Sequence, residues 1–312
     1  MLTLDAFLAS QSISSDLVRL VQCITKTSER VCEILRSTPV HQAGSSNVYG
    51  DQQLSVDILS DAAIFTGLEE SGVVAFAASE EEPEGKEFVA PSDESFSVYF
   101  DPLDGSSIAD CNWSVGSIYS VFPWSQSLQG RKGSDQVLAA VVVYGPRTTI
   151  TFGIRDTSLV FETMLLKNEW IVTSPCIKVE DKARIFSPAN LRAANDLPGY
   201  KRIIDEWIAQ RMTLRYTGGM VPDVVGILVK GNGVFSSPVS ENARAKLRLV
   251  FEVAPIALII ELAGGLALAA QPGEPLSVLE IPIKTVNDRI GIICGSRNDV
   301  LDCFRSIYNQ PV

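Results

Sequence analysis

Histidine is all but missing from this 312-residue chain, and its scarcity removes much enzyme chemistry. One imidazole, His41, cannot assemble a multi-histidine zinc site, and any Ser-His-Asp triad would rest on it alone. It stands in a polar loop and reads as solvated. Cysteine is sparse too: Cys23, Cys32, Cys111, Cys176, Cys294 and Cys303 lie far apart with no C-x-x-C pair, a pattern of scattered reduced thiols rather than a disulfide framework. Basic residues are outnumbered, 26 Lys and Arg against 37 Asp and Glu, and the net charge of −11 repels nucleic acid and anionic membranes. An anionic substrate must therefore be met locally. No uncharged apolar run reaches about twenty residues. The best candidate, residues 253–270, is interrupted by Glu261 and Gly264-Gly265 and reads as a buried helix and its exit. A basic region followed by an apolar stretch and a cleavage site is also missing at the N-terminus. Cytoplasmic residence is expected, with a trimmed organellar transit peptide as the alternative.

What is present suffices for a large core, since 46% of the residues are hydrophobic and the length corresponds to about two units of ~150 residues. Leu17, Leu20, Val21, Ile24, Val31, Ile34 and Leu35 follow helical spacing, with Ser15 as N-cap and Pro39 as stop. A polar loop over 42–50 leads to a second helical pattern, Leu54, Ile58, Ala62, Phe65 and Leu68, on which Asp57 and Asp61 share a face. Two strand-like runs, 73–78 and 97–100, end abruptly in acids: Glu80-Glu81-Glu82 after the first, Asp101 and Asp104 after the second. Strand ends are where α/β folds place chemistry. Residues 83–94 read as a charged loop, and further strands are expected over 115–122, 137–144 and 148–154.

Turn chemistry at Ser187-Pro188 marks a boundary between halves 1–184 and 185–312. The second half reads as a helix around Ile203, Ile204, Trp207 and Ile208. A hairpin across Lys230-Gly231-Asn232-Gly233 follows, then a long helical pattern over 243–263, bent or restarted at Pro255 and closed by Gly264-Gly265. Gly231-x-Gly233 lacks the third glycine and the strand-to-helix setting of a dinucleotide fingerprint, so no nicotinamide site is expected. The Asn112-Trp113-Ser114 sequon has no secretory context and reads as accidental.

The most informative stretch is Asp101-Pro102-Leu103-Asp104-Gly105-Ser106-Ser107. Two carboxylates and an intervening carbonyl suit hard divalent cations, while N–H groups beyond Asp104, freed by small residues, suit a phosphate. Alone, the stretch also fits an Asp-Pro/Asp-Gly turn. Its company decides: Glu80, Glu81 and Asp57 add oxygens, and so much clustered negative charge costs several kcal/mol unless cations neutralise it. Metal-assisted phosphoryl transfer needs no nucleophilic side chain and no histidine.

This stretch, with Ser79-Glu80-Glu81 upstream, resembles the metal-binding signature of the lithium-sensitive, Mg²⁺-dependent sugar and inositol phosphatase superfamily. Three further motifs resemble its fructose-1,6-bisphosphatase family: Gly44-Ser45-Ser46-Asn47-Val48-Tyr49-Gly50-Asp51-Gln52, Arg215-Tyr216-Thr217-Gly218-Gly219-Met220-Val221-Pro222-Asp223 and Lys246-Leu247-Arg248-Leu249-Val250-Phe251-Glu252. The match runs from about residue 15 to the C-terminus. Within the family, Gly133-Ser134-Asp135-Gln136-Val137, Tyr144-Gly145-Pro146-Arg147-Thr148-Thr149 and Ser187-Pro188-Ala189-Asn190-Leu191-Arg192 are more similar to the members that act on a seven-carbon sugar. Ser237 agrees, standing where six-carbon enzymes place a tyrosine.

The resemblance implies a layered α/β/α/β/α sugar-phosphatase fold and hydrolysis of the 1-phosphate of sedoheptulose 1,7-bisphosphate. Fructose 1,6-bisphosphate is the alternative substrate, and a non-catalytic metal-binding protein the alternative of another class. It implies Mg²⁺, two or three ions replaceable by Mn²⁺, held by Glu80, Asp101, Asp104, Glu252 and the Leu103 carbonyl. Glu81, Asp57 and Asp51 match positions that orient and deprotonate water. Gly105, Ser106 and Ser107 match the cradle of the departing phosphate, Lys246 a sugar or phosphate contact, and Asn190, Tyr216 and Arg192 the grip on the distal phosphate. Arg215 matches a residue that reaches across a subunit contact, and a family-like homodimer is expected, with no nucleic-acid or membrane partner. Val40 and Ser45 stand where chloroplast members carry a redox cysteine pair, so thioredoxin control by that pair is not expected. Nor is AMP inhibition, because Lys26-Thr27-Ser28-Glu29 lacks the nucleotide-binding pattern.

Overall fold

The computed structural model describes residues 1–40, 42–46, 52–88, 92 and 94–308. Helices Leu4–Ala9 (α1) and Ser15–Ser37 (α2) come first. The cap of α2 is Ser14, one residue ahead of the expected Ser15, and its hydroxyl accepts the Leu17 N–H at 3.3 Å. The expected loop over 42–50 contains a strand: Gln42–Ser46 (β1) pairs antiparallel with Gln52–Leu54 (β2). Neither carries the apolar alternation that reveals a strand in sequence. His41 and Asp51 lie outside the described residues. Helix Ser55–Glu70 (α3) follows as expected and lies close against α2: a Cβ on Gly67 would fall 2.1 Å from the Thr27 hydroxyl.

Eight strands form the larger sheet: Val74–Ser79 (β3), Lys86–Glu87 (β4), Phe96–Asp104 (β5), Val115–Pro123 (β6), Leu138–Tyr144 (β7), Thr148–Ile154 (β8), Leu159–Leu166 (β9) and Glu169–Ser174 (β10). Their spatial order is β10-β9-β8-β7-β6-β5-β3-β4, antiparallel except for the parallel pair β3/β5. β4 lies inside the expected charged loop. β9 and β10 escape the sequence reading because Lys167 and Asn168 take positive φ (50° and 66°) in their tight turn without the glycine that announces a hairpin.

The remaining elements are Ile185–Pro188 (β11), Pro198–Ala209 (α4), Thr213–Leu214 (β12), Met220–Lys230 (α5), Val234–Ser237 (β13), Ala254–Leu262 (α6), Leu266–Ala269 (β14), Ile292–Gly295 (β15) and Arg297–Tyr308 (α7). The second sheet runs β12-β11-β13-β15-β14. Three expectations are corrected here. Ser187 and Pro188 are strand residues, with proline at the end of β11 where a missing N–H is tolerated. Gly231, at φ 70°, ends α5, and the chain enters β13 directly, so no hairpin forms. Residues 243–248 are not helical; a π-turn, Leu249–Val253, feeds α6, which starts at Ala254 with Pro255 in its first turn, the restart that was expected there.

Three apolar clusters account for five layers. One joins α1, α2 and α3 to the large sheet, a second fills the space between the sheets around α5 and α6, and a third packs α4 and α7 against the small sheet. α6 is apolar nearly all round, as a helix enclosed by two sheets must be. The order is α/β/α/β/α, as the resemblance implied.

Candidate functional site

The parallel pairing of β3 with β5 brings two acidic ends together. Ser79 is in register with Phe100, and the Glu80 N–H donates to the Phe100 carbonyl at 3.0 Å, so Glu80 and Asp101 leave the sheet side by side. The buried π-turn ahead of α6 delivers Glu252 to the same place. One oxygen from each of Glu80, Asp101 and Glu252 lies within 4.8 Å of the others. Arg248, 1% exposed, sets Nη2 3.0 Å from Glu80 Oε1 and donates through Nη1 to the Glu80 carbonyl at 3.2 Å.

Arg248 is the buried cation against these three carboxylates, with the exposed Arg289 adding a weaker attraction to Glu80, and the cluster stays short of positive charge. Burial, joined by the neighbouring carboxylates, pushes Glu80 up to about 7 despite Arg248, and holds Asp101 and Glu252 well above the usual carboxylate range. An all-oxygen donor set whose ionised form is disfavoured without a further counter-charge fits a hard divalent cation.

Asp104 stands beside this group and is turned toward α5: its Oδ2 accepts the Val221 N–H at 2.7 Å. Burial raises it to about 6, with the Val221 and Met220 N–H groups working against the rise. Gly105, at φ 83°, turns the chain into the short helical turn Ser106–Ile108, where Ser106 is half-buried and Ser107 exposed. A Cβ on Gly105 would lie 3.4 Å from the Gly219 Cα, and one on Gly219 would lie 3.4 Å from Asp104 Oδ2. The cradle motif and the Arg215–Asp223 motif, distant in the chain, thus meet at Gly105 and Gly219.

Asp57 and Asp61 are brought to the same region by α3. Asp57 accepts the Leu54 N–H at 2.9 Å, and its other oxygen is buried with no hydrogen-bond partner among the described residues. Burial, then the charges of Glu81, Glu80 and Asp61, push it up to about 7. Asp61 is raised to about 7 as well, by burial and by Glu81 and Glu82, although it accepts the Ser79 hydroxyl.

The residues matched to the distal phosphate are placed less uniformly. Tyr216 is 47% exposed and lies within electrostatic reach of Arg192 and Asp223. Asn190, in the left-handed region at φ 48°, donates its amide to the Pro238 and Ala243 carbonyls at 2.7 and 3.1 Å and so braces that loop. Arg192, Arg215 and Lys246 are exposed. Sequence reasoning missed two participants. Arg248 had a signal in its spacing, four residues before Glu252 and adjacent to an apolar run. Asp223 ended the Arg215–Asp223 motif with no role assigned to it: it is buried and accepts the Thr217 N–H at 2.9 Å, shaping the loop that carries Tyr216.

Comparison with known proteins adds the following. Residues 3–175 match the family model described as "Fructose-1-6-bisphosphatase, N-terminal domain", and residues 179–308 match its C-terminal counterpart. The chloroplastic sedoheptulose-1,7-bisphosphatase of Spinacia oleracea is 40% identical over 99% of this chain and 78% of its own. A class 1 fructose-1,6-bisphosphatase of Pelobacter propionicus is 38% identical over 94% of this chain and 89% of its own. Among solved structures, one from Toxoplasma gondii described as a sedoheptulose-1,7 bisphosphatase superposes with a TM-score of 0.89 at 37% identity, covering 97% of this chain and 98% of that one. The fructose-1,6-bisphosphatase of Leishmania major, in holo form, follows at 0.87 and 29%, with the same coverage.

Proposed function

This chain belongs to the fructose-1,6-bisphosphatase family, and from that membership we propose that it hydrolyses the 1-phosphate of sedoheptulose 1,7-bisphosphate, giving sedoheptulose 7-phosphate and phosphate. The observation that carries the reading is the convergence of Glu80, Asp101 and Glu252 beside the Asp104–Ser107 cradle. The choice of a seven-carbon sugar is supported by the relatives that bear that name and by Ser237 at the end of β13.

Glu80, Asp101 and Glu252, with Asp104 and the Leu103 carbonyl beside them, would hold Mg²⁺, or Mn²⁺ in its place. Bound there, the cations neutralise phosphoryl charge and acidify water. The protein's own residues do the rest. Gly105 gives the turn that opens N–H groups beyond Asp104 toward a phosphate, and the Ser106 and Ser107 hydroxyls stand ready to donate to it. Asp57, raised to about 7, is matched to neutral pH as a proton acceptor, with Glu81 beside it. Tyr216 and Arg192 grip the distal phosphate, and Asn190 holds the neighbouring loop. Lys246 contacts sugar or phosphate. The half 1–184 supplies Glu80, Asp101, Asp104 and the phosphate cradle, and the half 185–312 supplies the distal grip together with Glu252. A homodimer in the cytoplasm completes the proposal; among the described residues no helix is long and apolar enough to cross a membrane.

Phosphate release from the seven- and six-carbon bisphosphates, measured side by side with Mg²⁺ and again with EDTA, tests the reading. Faster turnover of the seven-carbon substrate, abolished by EDTA, is expected. A preference for fructose 1,6-bisphosphate assigns the protein to the other branch, and no release from either leaves a non-catalytic metal binder.

A further inference from the structure

The metal loop contains a bulge, and a buried hydroxyl chain fastens it. Asp101 pairs with Ile118 and Asp104 with Gly116, so Pro102 and Leu103 together stand against the single residue Ser117 of β6. Proline offers no N–H to the ladder, and the Leu103 N–H turns inward to Asp101 Oδ1 at 2.9 Å. The Ser117 hydroxyl reaches across the irregularity and donates to the Pro102 carbonyl at 2.7 Å. Its oxygen lies 3.0 Å from the Tyr144 hydroxyl on β7. A carbonyl can only accept, so the one Ser117 proton points at Pro102 and Tyr144 donates to Ser117. Ser117 is fully buried and Tyr144 6% exposed, so no solvent competes for these bonds. Ser117 faces Val142 in the β6/β7 register, and Tyr144, two residues on, shares that face.

We propose that Ser117 and Tyr144 are positioning residues of the cation site: through the Pro102 carbonyl they hold the Asp101–Asp104 bulge in the shape that turns Asp101 toward Glu80 and Glu252 and Asp104 toward α5. The proposal rests on the reading of that cluster as a metal centre. Neither residue touches substrate or ion. Outer partners that orient metal ligands typically contribute about 10- to 100-fold in affinity, and a carbonyl clamp one residue removed from Asp101 belongs at the low end.

The test is Mn²⁺ binding to the EDTA-stripped full chain without substrate, followed by electron paramagnetic resonance and calorimetry, with melting temperature and the KM for the bisphosphate recorded in parallel. Ser117→Ala is expected to weaken Mn²⁺ binding about 10-fold and Tyr144→Phe about 3-fold, while Ser117→Thr, which keeps the hydroxyl, recovers most of the loss and KM stays within about 2-fold. Mn²⁺ affinity unchanged in Ser117→Ala, or affinity that merely tracks melting temperature across the three variants, overturns the proposal. Failure of the unsubstituted protein to bind Mn²⁺ removes the metal-centre reading itself, and this outcome is distinct because the parent reveals it.

Discussion

Exchanging Glu252 for glutamine stabilises the metal-free protein at pH 8 and blunts its response to Mg²⁺. The acidic oxygens of Glu80, Asp101 and Glu252 lie within 4.8 Å of one another, and an ionised pair at that distance repels by about 3 kcal/mol at an effective dielectric of ~20. Glu252 faces two such partners, while Arg248 returns part of the cost by attraction. The net relief is on the order of 3 kcal/mol, because protonation caps what the folded state tolerates.

The sign with pH follows from the same groups. Glu80 rises from 4.5 to about 7 on folding, and Asp101 and Glu252 rise well above their ordinary values. The folded state therefore binds more protons than the unfolded state over this window. Stability is full below the unfolded values and is lost as pH climbs through about 7. For a chain of 312 residues, ~3 kcal/mol corresponds to about 4–5 °C in melting temperature. Thermal unfolding of EDTA-stripped protein from pH 5 to 8, with and without Mg²⁺, reads all of this. The parent should lose stability toward pH 8 and regain it with Mg²⁺; Glu252→Gln should melt higher without metal and gain little from it. A variant that melts below the parent at pH 8 without metal, or that gains as much from Mg²⁺, refutes the charge-frustration argument.

Three further outcomes are expected. Asp104→Asn keeps an acceptor for the Val221 N–H, so it should fold normally yet lose turnover by roughly 10²-fold or more and require higher Mg²⁺; near-parental turnover in a steady-state phosphate assay would remove Asp104 from the catalytic set. Tyr216→Phe, which loses only a hydroxyl on a half-exposed ring, should raise KM several-fold with kcat within about 2-fold, and a kcat effect without a KM effect would contradict its place at the distal phosphate. Millimolar AMP with Mg²⁺ in excess should leave the rate unchanged, and inhibition in that assay would show that α2 carries nucleotide recognition not visible in its residue types.

The legible part of the site was the part encoded by neighbours in the chain. Asp101-Pro102-Leu103-Asp104-Gly105 fits a plain turn when taken alone, and it stood out because Glu80 and Glu81 follow a neighbouring predicted strand and Asp57 lies on a predicted helix. The illegible part depended on partners far away. Tyr144 and Ser117 read as ordinary strand residues until β6 and β7 pair, and Asp223 ends its motif with no role of its own until it accepts the Thr217 N–H. The misread stretches had the same origin: Ser187-Pro188 has turn composition but pairs in parallel with Phe235 and Ser236 of β13, and that distant pairing overrides it.

By itself the amino-acid order determined the mixed α/β character, the apolar central helix, the acids at strand ends and the exclusion of multi-histidine sites, because periodicity and composition act over a few residues. The tertiary structure alone decided that β3 and β5 run parallel, that a π-turn from 150 residues further on brings Glu252 between their ends, and that one buried arginine is left facing three carboxylates. Such convergence is a property of chain closure, and the local sequence does not contain it.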